Sequence, residues 1–174
     1  TISTYGLNAV EPVDEIQIQQ PTNIYGVTKV LDELWGLYYY NRYGVDFRAV
    51  RFPRIVNPGR TGSGAALFPS QLIEKVALDE SYKLELGKDY KIPILYIKDA
   101  VKALMFLYEA KDVKTRMYNL SALVPTAEEI VKTLKKYKPN AKIEFVLKYF
   151  SSHLQLPLKF NSDKIHKELE WEIE

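Results

Sequence analysis

The chain has 174 residues, 47% hydrophobic and 26% charged, with a formal net charge of +2. That is enough for one globular domain with a sizeable core, and it leaves no electrostatic footprint for nucleic acid or an anionic lipid surface. There is no cysteine, and the two histidines, His153 and His166, lack an HExxH spacing, so disulfides, thiolate nucleophiles and a metal centre are not expected, and a cytoplasmic setting is.

In chain order, Thr1-Ile2-Ser3-Thr4-Tyr5-Gly6 reads as the end of a buried strand, and with no initiator Met the chain is expected to be the inside of a longer protein. No apolar run approaches the roughly 18 residues of a membrane span, so no membrane partner is expected. After a polar loop, Thr22 or Asn23 caps a helix whose Val27, Val30, Leu31, Leu34, Leu37 and Tyr38 recur at helical spacing as far as Gly44, a C′ residue. That stripe is wide enough to bury. Tyr38, Tyr39 and Tyr40 occupy successive faces and cannot share one core, so they are expected at a packing or dimer surface.

Residues 46–52 read as a strand stopped by Pro53. Strand, helix, strand is one βαβ unit of a parallel sheet, which places ligands at the carboxyl ends of its strands, marked here by Gly6 and Pro53. The glycine-rich residues 57–64 are expected to be a crossing into a second part of the chain; a phosphate loop would need a GKS/T ending and a strand running directly into it. Further strands are expected at 82–86, 94–97, 117–120 and 142–146, and helices through Leu72 and Val76, over 100–110 behind an Asp99 cap, after Thr126 in a capping box with Glu129, and over 162–169.

Within the first helix, Tyr25 and Lys29 stand four residues apart and so share one face. A free tyrosine titrates near ~10, so a proton shuttle working near neutrality needs about 3 units less, or about 4 kcal/mol. One positive charge about 4 Å away at an effective dielectric of about 20 supplies that much. With 13 tyrosines in the chain, however, chance alone yields about one such spacing. The pair acquires meaning only from its surroundings.

Those surroundings resemble the extended short-chain dehydrogenases/reductases of the NAD-dependent epimerase/dehydratase superfamily. There a Ser or Thr lies five residues before a Gly at a strand end, as Thr1 lies before Gly6, and Tyr-x-x-x-Lys follows about two dozen residues later, as at Tyr25 and Lys29. Arg51-Phe52-Pro53, Tyr43-Gly44-Val45-Asp46, Tyr96-Ile97-Lys98-Asp99-Ala100 and Tyr118-Asn119-Leu120-Ser121 are similar to the L-threonine 3-dehydrogenase branch. The resemblance implies an α/β fold made of the C-terminal part of a Rossmann-type parallel sheet plus a small α/β substrate-binding subdomain. Residues 1–56 would belong to the first and 57–174 mainly to the second, with 92–120 packing back on the Rossmann part.

By the same resemblance the activity is an oxidoreductase using NAD, with NADP not excluded, on a small hydroxy amino acid. Tyr25 would be the acid/base, Lys29 would lower its pKa and bond the nicotinamide ribose, Thr1 would hold the reacting oxygen, and Pro53 would line the nicotinamide side. A homodimer through the Tyr25 helix is implied. The chain departs from the branch at Arg54, where a Gly is usual, at Ala65, where a Thr is, and at Leu156, where a Trp precedes the proline. These departures touch the substrate-binding positions and leave open which small polar substrate is used. No strand-GxxGxxG-helix is present, so this chain alone is expected to bind NAD weakly or not at all. A nucleotide-sugar epimerase is a further possibility, although Pro93-Ile94-Leu95 stands where such enzymes carry an arginine before Tyr96. A non-catalytic dimerisation module is another.

Overall fold

The computed structural model describes residues 1–62, 67–146 and 157–173. The expected opening strand is instead a single 3-10 turn, Ile2–Thr4. Short polar side chains compete for the backbone there: the Thr1 hydroxyl accepts the Ser3 N–H at 3.3 Å and the Thr4 hydroxyl donates to the Thr1 carbonyl at 2.9 Å. Ile2, Thr4 and Tyr5 are nonetheless buried, and the Ile2 N–H reaches the Phe52 carbonyl at 3.0 Å.

Helix α1, Ile24–Tyr43, starts where Asn23 accepts the Gly26 N–H with its side chain at 2.8 Å, satisfying one of the free donors of the first turn. It ends at Gly44, whose φ of 70° is the left-handed conformation that a Cβ disfavours. Only Gly26 and Glu33 of α1 are buried. Seven apart, they lie on one face, so the seam that α1 packs against this chain is narrow. The apolar stripe expected to be buried is largely open: Val27, Leu31, Leu34 and Tyr38 are exposed, as are Trp35 and Tyr39. Tyr38 and Tyr39 meet edge to face at 5.8 Å and both contact Tyr43.

Strand β1, Ala49–Arg51, is shorter than expected, and Pro53, which has no N–H to give to a ladder, stops it. The chain then enters β2, Arg54–Val56, with a different partner. β1 pairs with β5, Met117–Asn119, and β2 with β4, Ile94–Tyr96. A third ladder joins β3, Tyr82–Leu84, to β6, Ile143–Phe145. All three are parallel, which requires long crossovers. The helices supply them: α2, Phe68–Ala77; α3, Ile97–Glu109; and α4, Ala127–Tyr137. The last carries the expected reciprocal bonds between Thr126 and Glu129. Asp99 lies inside the first turn of α3 instead of capping it, because Tyr96 is the cap residue.

Two main clusters hold this together. Phe68, Leu72, Val76, Leu84, Ile92, Ile130 and Val131 join α2 and α4 to β3. Leu95, Ala103, Leu107, Tyr118, Leu120, Ile165 and Trp171 join α3 and β5 to α5, Asp163–Leu169. Each fully buried large side chain contributes roughly 1.5–3 kcal/mol. Trp171 also gives its indole N–H to the Asp99 carbonyl at 3.0 Å.

Candidate active site

The break between β1 and β2 opens a cleft of about 580 Å³. Thr1, Ile2 and Ser3 come from the 3-10 turn, Thr22, Asn23, Tyr25 and Lys29 from the start of α1, and Val50, Phe52, Pro53, Arg54, Ile55 and Arg60 from the two strands and beyond. The sequence-derived residues Thr1, Tyr25, Lys29, Pro53 and Arg54 therefore line one cavity. Leu156, Ala65, His153 and the end of the glycine-rich run, residues 63 and 64, lie outside the described residues.

Two features bring Tyr25 to Thr1. Gly26 lets α1 approach the 3-10 turn so closely that a Cβ there would stand 2.2 Å from the Ser3 carbonyl oxygen and 2.7 Å from Pro21 Cβ. Seven residues on, Glu33 is gripped by Arg51, whose Nε and Nη2 donate to its two oxygens at 3.0 and 2.8 Å. Both side chains are buried, 1% and 8% exposed. Around them Gln19 donates to Glu33 at 2.7 Å, Arg51 Nη1 donates to the Tyr5 hydroxyl and to the Glu15 carbonyl, and Tyr5 donates to Asn119 Oδ1 at 2.8 Å. The network ties the loop before α1, α1 itself, β1 and β5 into one frame.

The Tyr25–Lys29 geometry is looser than four-residue spacing implies. Lys29 Nζ lies 5.8 Å from the centroid of the Tyr25 ring and donates to Asp32 at 2.8 Å. The hydrogen bond to Asp32, and then its charge, hold the Lys29 ammonium above its ordinary pKa. Tyr25 is 53% exposed. Asp32, three residues beyond Lys29, competes with Tyr25 for the ammonium.

Arg54 also departs from a plain lining residue. Its Nε and Nη1 are buried and have no hydrogen-bond acceptor among the described residues. Burial pushes the guanidinium below its ordinary pKa; Tyr90, which it hydrogen-bonds, opposes this, and the like charge of Arg60 adds to it. On its other side Arg54 borders a second cleft of about 450 Å³ with Tyr90, Lys91, Glu11, Asp89, Pro157 and Leu158. Ser3, Phe52 and Arg60 line the first cleft without having been singled out by the sequence. The one available signal was that Gly26 and Glu33 interrupt an apolar helical pattern on a single face.

Parallel strands linked by helices, with a cleft where two ladders part, define a Rossmann-type α/β protein, a scaffold that binds dinucleotides at strand ends. The chain belongs to the NAD dependent epimerase/dehydratase family, an enzyme family whose sequence pattern matches residues 1–121. It is 30% identical over 177 residues to the mitochondrial L-threonine 3-dehydrogenase of Bos taurus, covering 98% of this chain and 48% of that one. Among solved structures, L-threonine dehydrogenase from Phytophthora infestans superposes with a TM-score of 0.90 at 30% identity, over 100% of this chain and 59% of that one. UDP-glucose 4-epimerase from Thermotoga maritima shares the fold, with a TM-score of 0.81 at 21% identity over 98% of this chain and 55% of that one. The chain thus spans about half the length of the curated relatives it matches. No helix among the described residues is long and apolar enough to cross a membrane.

Proposed function

We propose that this chain carries the proton-handling residues of an NAD-dependent oxidoreductase acting on a small hydroxy amino acid, in the manner of an L-threonine 3-dehydrogenase. The observation that carries the reading is the convergence of Thr1, Tyr25, Lys29 and Pro53 on one cleft. The donor set fits a nicotinamide: Ile2, Val50, Phe52 and Pro53 offer an apolar wall, while Thr1, Ser3 and Tyr25 offer hydroxyls beside it. When bound, NAD supplies the hydride acceptor.

The ionised Tyr25 oxygen takes the proton from the substrate hydroxyl as hydride leaves, becoming the neutral phenol, and gives that proton back in the reverse direction. Thr1 holds the reacting oxygen by a hydrogen bond. Lys29 places a positive charge beside the phenol and reaches the ribose, for which its ammonium must turn from Asp32. Pro53 keeps that side of the cleft dry, and Arg54 faces the substrate. In the whole protein we place a second copy of the chain on the open apolar face of α1.

The test uses the full-length protein and follows NADH formation with threonine and related hydroxy acids. Tyr25→Phe is expected to lower turnover by about 10²–10⁴-fold and to leave NAD affinity by calorimetry unchanged. Turnover that survives this substitution removes the acid/base role.

A further inference from the structure

Arg54 borders two clefts, and among the described residues it is the one residue that their linings share. On one side lies the cavity of about 580 Å³ that holds Thr1, Tyr25 and Lys29. On the other lies the cavity of about 450 Å³, where Leu7, Ala9, Pro93 and Leu158 offer apolar surface. The guanidinium stands between a chamber with the chemistry and a chamber that adds room.

The backbone of this partition is fixed, while its side chain can turn. Arg54 lies in β2 opposite Ile94, and its N–H donates to the Pro93 carbonyl at 3.1 Å, so its Cα is held by the ladder. Tyr90, which lines the second cleft, hydrogen-bonds the guanidinium, and Arg60, which lines the first, repels it as a like charge. Both effects draw the side chain away from the Tyr25 cavity and across the passage. Nε and Nη1 have no acceptor among the described residues, so turning the side chain gives up no hydrogen bond at either atom.

We infer that Arg54 is a specificity-determining residue for substrate length. Held by Tyr90, it ends the catalytic cleft at the guanidinium, which admits short hydroxy amino acids. Where it is turned aside or removed, the two clefts join and admit aryl- or alkyl-extended ones, with the extension on Leu7, Ala9 and Leu158 and the hydroxyl still at Tyr25. The chemistry in this inference rests on the dehydrogenase reading, whereas the partition rests on the two cavities. Exclusion comes from bulk, since one carbon too many in a close-fitting pocket discriminates by about 10–200-fold.

The test compares NADH formation by the full-length protein with threonine, hydroxynorvaline and phenylserine, read as the ratio of kcat/KM for phenylserine to that for threonine. This ratio cancels effects that touch all three substrates alike, such as a change of charge in the cleft. Arg54→Ala is expected to raise it by about tenfold or more, with hydroxynorvaline between the two extremes. Arg54→Gln, which loses the charge but keeps most of the bulk, should leave it near wild type. Tyr90→Phe, which frees the guanidinium, should raise it by less than Arg54→Ala does. Crystal structures of wild type and Arg54→Ala give a readout that needs no substrate: two cavities in the first and one continuous cavity in the second. An unchanged ratio in Arg54→Ala, an equal rise in Arg54→Gln, or clefts that stay separate in the Arg54→Ala crystal overturns the inference. Joined cavities in a protein that oxidises none of the three refute the dehydrogenase reading and leave the partition. Threonine oxidation with an unmoved ratio does the reverse.

Discussion

Arg51 of β1 and Glu33 of α1 form a side-on, two-bond ion pair buried between the helix and the strand. It fixes the helix that bears Tyr25 against the strand that leads to Pro53, so both walls of the cleft depend on it. Removing one partner leaves the other charged, buried and unpaired, a cost of about 3–5 kcal/mol. Glu33→Gln is therefore expected to lower the unfolding free energy by about 3 kcal/mol in urea titrations. The double change Glu33→Leu with Arg51→Met should recover most of that loss. A single-variant loss below about 1 kcal/mol would show that the pair is not holding the frame.

Gly26 makes an opposite-sign prediction to the usual one for a helical glycine. In an ordinary helix interior Gly→Ala stabilises by about 1 kcal/mol. Here the added methyl would meet the Ser3 carbonyl oxygen at 2.2 Å, and backbone cannot give way as a flexible side chain can. Gly26→Ala should instead lower the melting temperature, cost about 1–3 kcal/mol, and reduce turnover of the full-length protein by moving Tyr25 away from Thr1. A raised melting temperature would contradict the close approach.

The Asp32 carboxylate answers the charge of Lys29. With Asp32→Asn the ammonium keeps its full charge 5.8 Å from the Tyr25 ring, which favours the ionised base. The acid limb of kcat/KM for alcohol oxidation should then move to lower pH, by about half a unit for an exposed pair. A limb that stays in place, or moves up, separates Lys29 from the proton-transfer step.

Glu168 gives a pH dependence of stability. Burial alone would raise its pKa, but hydrogen bonds from the Thr115 and Tyr118 hydroxyls and from the Thr115 and Lys114 N–H groups hold the carboxyl below its ordinary value. A carboxyl with a depressed folded-state pKa binds fewer protons folded than unfolded. Its contribution is full above the unfolded value, near ~4.3, and disappears as pH falls through the folded one. Glu168→Gln should lower stability at pH 7 and converge on wild type in strong acid, as measured by melting across that range.

The open face of α1 should bury a second copy in the whole protein. Leu31, Leu34 and Trp35, neighbours at helical spacing, are 44%, 55% and 59% exposed, and clustered exposed apolar side chains of this kind mark interfaces. Sedimentation of the full-length protein is expected to give a dimer at micromolar concentration, and Leu34→Glu a monomer. A wild-type monomer would assign this face to something else.

Local chemistry was legible in the residues. Asn23 and Gly44 announce both ends of α1, Thr126 and Glu129 the start of α4, and Pro53 the end of β1. These signals act within a turn or two of the chain, so the sequence displays cause and effect side by side. The opening turn misled because β-branched residues are equally suited to a buried 3-10 turn capped by their own hydroxyls. β2 was missed because nothing local tells a three-residue segment after a proline that a ladder partner waits forty residues away, at Ile94.

By itself, then, the sequence determined the α/β class, the helix that carries Tyr25 and Lys29, and the face they share, because periodicity and caps are local. Only the tertiary structure decided that Thr1, Tyr25, Pro53 and Arg54 meet in one cleft, that Lys29 turns to Asp32, that Arg51 finds Glu33, and that two nitrogens of Arg54 are left without an acceptor among the described residues. Those outcomes depend on contacts between residues far apart in the chain and on competition among charges for partners, and neither is encoded in the spacing of any one segment.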